Sequence, residues 1–114
     1  MKSAAALPDL SGLDPSVQDQ IRREHAAFVA ALERGAGPAE QAEAAGMLGR
    51  LLFAAERLRE AEALFEQAQT LAPNDRRWPY YLGHIHRLRQ EAERAIAAFE
   101  RVLVLAPDDM PTLV

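Results

Sequence analysis

The chain has 114 residues, 49% of them hydrophobic and 26% charged, with a formal net charge of -4. That is the size and make-up of one globular domain, too apolar for intrinsic disorder and too short for two independent cores. The lack of cysteine excludes a disulfide frame, a thiolate nucleophile and a Cys-type zinc site, and the acidic balance, with Lys2 the one lysine among 13 cationic residues, argues against a general nucleic-acid binder.

Roughly one residue in five is Ala and aromatics are only 6%, which favours helices over sheets. No apolar run nears the roughly 20 residues of a membrane span, and Met1 to Pro8 is too short an apolar start for a signal peptide. The chain therefore reads as soluble, with no membrane partner. Its compartment is left open, with the cytoplasm as default, because a removed leader would leave no trace.

Residues 1–13 carry Pro8, Gly12 and small polar residues without helical period, and are expected to form an extended or mobile lead-in. Asp14-Pro15 is a helix start, since an Asp side chain can cap free amides and Pro is tolerated at the first helical position. Val17, Ile21, His25, Phe28 and Leu32 follow at spacings that place them on one face of a helix over 15–34. It should stop at Gly35, before the Gly35-Ala36-Gly37-Pro38 break. A second helix is expected from Pro38 to about Ala55, with Met47, Leu48, Leu51 and Leu52 on its buried side.

Internal repetition organises the remainder. Sliding residues 42–75 onto 76–109 matches Leu48 with Leu82, Gly49 with Gly83, Ala61 with Ala95, Ala63 with Ala97 and Phe65 with Phe99. It also matches Glu66 with Glu100, Leu71 with Leu105, Ala72 with Ala106, Pro73 with Pro107 and Asp75 with Asp109. A fixed offset of this length marks stacked units. The expected domain over 14–109 thus comprises an N-terminal helix (14–35), one repeat over 42–75 and a second over 76–109. The start of a truncated third repeat falls at 110–114, and the whole should form about five helices.

Leu48-Gly49, Ala61, Phe65, Ala68 and Pro73, repeated as Leu82-Gly83, Ala95, Phe99 and Pro107, resemble the tetratricopeptide repeat family. The resemblance implies an all-α, right-handed α-solenoid of helix–turn–helix repeats, part of a longer, bacterial-type array. Gly49 and Gly83 would let neighbouring helices approach closely, Ala61 and Ala95 would sit at helix crossings, and Phe65 and Phe99 would fill the space between pairs. Where the family has a large aromatic early in the first helix, this chain has Ala45 and Pro79, with Trp78 adjacent to Pro79; where it often has Tyr, there are Leu52 and His86. Pro79 requires the helix holding it to start near Asp75–Trp78. With no capping helix after residue 109, the chain is expected to be a fragment of a longer array or to bury its open end against another copy.

Catalysis has little to work with. His84 and His86 lie about 200° apart on a helix and cannot share a metal on one face. Ser3, Ser11 and Ser16 sit outside any nucleophile context, and Glu56, Glu60, Glu62 and Glu66 interleave with Arg57 and Arg59 as a solvated face does. No enzyme activity, cofactor or metal is expected. The resemblance implies instead a non-catalytic protein–protein interaction scaffold whose first helices line a concave groove. The inner-face positions are Glu43, Arg50 and Phe53 in the first repeat and Arg77, Tyr80, Tyr81, His84 and Arg87 in the second. Arg and Tyr are interaction hot-spot residues, and Arg76, Arg77, Arg87 and Arg89 suggest an acidic peptide partner. Chaperone-docking members use a Lys and Asn clamp; at the matching places stand Gly46, Arg50 and Tyr81, so that mode is not expected. Self-association through the C-terminal end, giving a homodimer, is the alternative.

Overall fold

A computed structural model of the chain describes residues 7–106. Its helices are α1 (Pro15–Glu33), α2 (Pro38–Ala54), α3 (Leu58–Leu71), α4 (Arg77–Leu88) and α5 (Ala92–Leu105), with no strand among the described residues. The start of the expected lead-in at residues 1–6, the repeat positions Pro107 and Asp109, and the expected third-repeat start at 110–114 lie outside the described residues.

The local chemistry explains where the helices begin and end. Pro15 and Pro38 occupy the first turns of α1 and α2, where a missing N–H costs nothing. Asp14 is the N-cap residue of α1, but its carboxylate makes no capping bond. The Gln18 side-chain amide instead donates to the Leu13 carbonyl at 2.9 Å. Gly35 closes α1 in the left-handed region, with φ of 67°, while the Ala36 amide donates to the Ala31 carbonyl. The same turn recurs after α2 and α4 without glycine. Glu56 and Gln90 both have φ of 62°, and the amides of Arg57 and Glu91 reach back to the carbonyls of Leu52 and His86.

Each helix packs on the next in chain order, α1 on α2 through to α4 on α5. α1 buries Ile21, Phe28 and Ala31 on the face expected of it. α2 is buried more widely, through Ala42, Ala45, Gly46, Leu48, Gly49 and Leu52. Met47 and Leu51, expected inside, are only half-buried, because they line an open depression with Arg50 and Ala54 beside Gln20 and Glu24 of α1. Leu10 is a further departure from the sequence expectation. It is buried in the main core, with Leu7 and Leu13 packed against that core, so residues 7–13 extend the hydrophobic interior.

The repeat glycines do what close approach requires. A Cβ on Gly49 would stand 3.0–3.2 Å from the Phe65 ring, and one on Gly83 only 2.6–2.8 Å from Phe99. Ala61, Ala68 and Ala95 are buried where α3 and α5 cross their partners. Pro79 falls in the first turn of α4, as its missing N–H demands. His86 stands in the core, 6% exposed, and its Nδ1 lies 2.7 Å from Glu91 Oε1 at the start of α5. That hydrogen bond holds the Glu91 carboxyl below its ordinary range.

Candidate partner-binding face

The two first helices, α2 and α4, are joined side chain to side chain at three levels. At the first, Arg77 donates to Glu43 through Nη2 at 2.7 Å and Nη1 at 3.2 Å. At the second, the Trp78 ring lies on Gly46, where a Cβ would stand 2.0–2.7 Å from the indole. At the third, Phe53 meets Tyr81 edge-on at 6.0 Å. These rungs set the spacing of one exposed face.

The sequence-predicted residues divide along this face. Arg77 is committed internally: besides Glu43, it donates to Asp75 from Nε at 3.1 and 3.2 Å and from Nη2 at 2.7 Å, and its Cζ lies 4.5 Å from the Trp78 ring centre. Every guanidinium nitrogen is engaged. Hydrogen bonding from Arg77 depresses both carboxyls, and the hydrogen bonds to Asp75 and Glu43, and then their charges, hold Arg77 more firmly protonated. Tyr81 is half-buried, with its ring stacked on Phe65 at 4.7 Å and 4° between planes.

The remaining five face outward in part or in full. Arg50 and Arg87 are exposed, and Phe53, Tyr80 and His84 are half-buried. Arg50 donates to the Met47 sulfur at 3.6 Å and lies in the field of Glu43, and the Arg87 Nη2 lies 3.1 Å from His84 Nδ1. Among the described residues neither guanidinium has a carboxylate partner. An arginine can only donate, so this contact is a hydrogen bond in the neutral form of His84, with Nδ1 as the acceptor. Burial, and then the Arg87 charge, hold the His84 pKa below its ordinary value. Tyr80 lies edge-on to His84 at 4.6 Å, and both rings meet Phe99 of α5 edge-on, at 6.3 and 5.2 Å.

Two features escaped the sequence reading. Gly46, which by sequence position only lacks the clamp side chain, is the seat of Trp78; a second glycine one turn before Gly49 is the signal for it in the sequence. Phe99 was placed between repeats, yet it also floors the Tyr80–His84 pair. His84 and His86 have separate surroundings, and no group of three His, Asp or Glu that could hold a metal occurs among the described residues. Nor is any described helix long and apolar enough to cross a membrane.

A family model described as the tetratricopeptide repeat matches residues 25–76 and, again, 46–109. No match was found among curated proteins or among solved structures. Repeats of this kind are non-catalytic modules that generally mediate protein–protein interaction. With the match spanning residues 25–109, where the 34-residue offset, the paired helices and the glycine–phenylalanine contacts all lie, the chain belongs to the tetratricopeptide repeat family.

Proposed function

We propose that the α2/α4 face is a non-catalytic groove that takes an extended or helical segment of a protein partner, and that the segment is acidic. One observation carries the reading: Arg50 and Arg87 are exposed cations of the face that form no ion pair among the described residues, Arg50 only lying in the field of Glu43. Between them Phe53, Tyr80 and His84 offer half-exposed rings, so a carboxylate flanked by an apolar side chain matches the surface. Arg77 and Tyr81 act as positioning residues, joining α2 to α4.

Selection from a displayed peptide library tests this. Enriched peptides should carry Asp or Glu beside an apolar residue, and the Tyr80→Ala, Arg87→Ala double variant should lose at least about tenfold in affinity while keeping its thermal melt. Selected peptides without acidic enrichment, or unchanged affinity in the double variant, would refute the reading.

Self-association through the C-terminal end is a second reading, favoured by the exposure of Leu88, Ile96 and Val104 at that end.

A further inference from the structure

The two histidines of α4 meet opposite surroundings. His86 is buried, and its Nδ1 lies 2.7 Å from Glu91 Oε1, so a proton on that ring finds a carboxylate within the chain. His84 is half-buried on the candidate face, and its Nδ1 lies 3.1 Å from Arg87 Nη2. As a hydrogen bond, that contact lasts only while Nδ1 carries no proton. The groups that meet the His84 ring are the Arg87 guanidinium and the Tyr80 phenol ring from α4, and the Phe99 ring from α5. Arg87 is the charged one, and burial, followed by its field, holds the His84 pKa below the ordinary value.

Protonating His84 in the free chain turns two groups 3.1 Å apart into facing donors of like charge. Neither forms an ion pair among the described residues, so an anion that relieves them comes from outside those residues. A carboxylate suits the place, because its two oxygens can accept from both donors at once. The repeat offset gives a second, independent reason. His84 stands 34 positions after Arg50, and Arg87 stands 34 after Phe53. Each repeat therefore presents one cation and one ring at these two positions, in opposite order. A proton on His84 gives the second repeat a cation at the position where Arg50 supplies one to the first.

We propose that His84 and Arg87 form a proton-linked carboxylate site, in which an Asp or Glu side chain of the partner bridges the two and His84 takes up a proton from solvent as the partner binds. This rests on the reading of the face as a groove for an acidic segment, and it adds the regulation of that groove. The sign follows from linkage. A bound carboxylate strengthens the hold of the imidazole on its proton, so the same proton strengthens the hold of the chain on the carboxylate. Binding tightens as pH falls from the bound-state pKa of His84 towards the lower free-state one, by no more than about tenfold per pH unit.

The probe is the tightest-binding acidic peptide from the displayed library, blocked at both ends so that its side chains supply the carboxylates. Between about pH 7.5 and about pH 6, where those carboxylates stay ionised, its affinity for the wild type should rise at least about threefold. Calorimetry in buffers of different protonation enthalpy should read net proton uptake on binding. The imidazole resonance of His84, assigned by its loss in His84→Gln, should titrate at higher pH with peptide bound than without. His84→Gln should bind with equal affinity at the two pH values, since an amide takes up no proton there. Arg87→Ala should bind more weakly at both, and should raise the titration of His84 in the free chain. Arg50→Ala should weaken binding yet keep its pH dependence. A library that yields no acidic peptide would overturn the groove reading and this site together. An acidic peptide whose affinity is the same at both pH values, or whose pH dependence survives His84→Gln, would overturn the proton link alone.

Discussion

Replacing Gly46 with Ala sets two helix effects against each other. In a solvent-facing helix interior, Gly→Ala stabilises by about 1 kcal/mol, since Ala surrenders less backbone entropy. At Gly46 the added methyl would stand 2.0, 2.4 and 2.7 Å from three carbons of the Trp78 ring. The indole is fully buried and stacked against Phe65 at 6.0 Å, so no rotation into solvent relieves the overlap without opening the core. Overpacking of this kind costs about 1–3 kcal/mol, and loss of aromatic stacking about 0.5–1.5 kcal/mol more. After the propensity gain, the net loss is about 1–3 kcal/mol, a fall in Tm of roughly 5–15 °C for a domain of this length. Thermal and urea unfolding followed by circular dichroism measure it. The source of the loss is separable with Trp78→Phe, whose smaller ring makes room for the methyl. The double variant should be more stable than the two single losses predict, by about 1 kcal/mol or more. A neutral or stabilising Gly46→Ala, or strict additivity with Trp78→Phe, would refute the seating of Trp78 on Gly46 and with it the middle link between α2 and α4.

Three further outcomes follow from particular contacts. Glu56→Gly and Gln90→Gly should each stabilise the chain by about 0.5–1 kcal/mol in urea unfolding, because both residues hold a left-handed φ of 62° that glycine adopts without penalty. Arg77→Ala should lower stability by about 1 kcal/mol, a modest figure because the guanidinium is half-exposed, while leaving peptide affinity within about twofold, in contrast to Arg87→Ala. The pH dependence has two limbs. The native pKa of His84 lies below its ordinary 6.5, so the folded state binds that proton less readily and stability falls as pH drops below about 6.5; His84→Gln should remove this slope. Glu43 and Asp75 are depressed below their ordinary 4.5 and 3.8, so their contribution is present above those values and lost as pH falls through the lower native ones; Arg77→Ala should flatten this acid limb.

The helical class, the helix starts at Pro15 and Pro38, the stop at Gly35 and the repeat offset were all legible in the residues, because each depends on short-range chemistry or on spacing alone. Proline and glycine restrict φ wherever they stand, and a residue's match 34 positions on needs no knowledge of what it touches. The two non-glycine left-handed turns at Glu56 and Gln90 were not legible, since an acidic and an amide residue carry no mark of that conformation and only the packing of the flanking helices imposes it. Nor was the burial of Leu10: one Leu in a segment without period becomes core only when helices from far along the chain provide a wall. The face itself shows the same division. Sequence position put Arg50, Phe53, Arg77, Tyr80, Tyr81, His84 and Arg87 on the first helices, but position does not say which side chains are already occupied. That depended on Glu43 and Asp75 reaching Arg77, on Phe65 stacking beneath Tyr81, and on Arg50 and Arg87 forming no ion pair among the described residues. Spacing along one chain determines the repeat. The distances between its helices, with Gly46 beneath Trp78 and Gly83 beneath Phe99, come from tertiary packing, which pairs Arg77 with Glu43 and leaves Arg50 and Arg87 exposed.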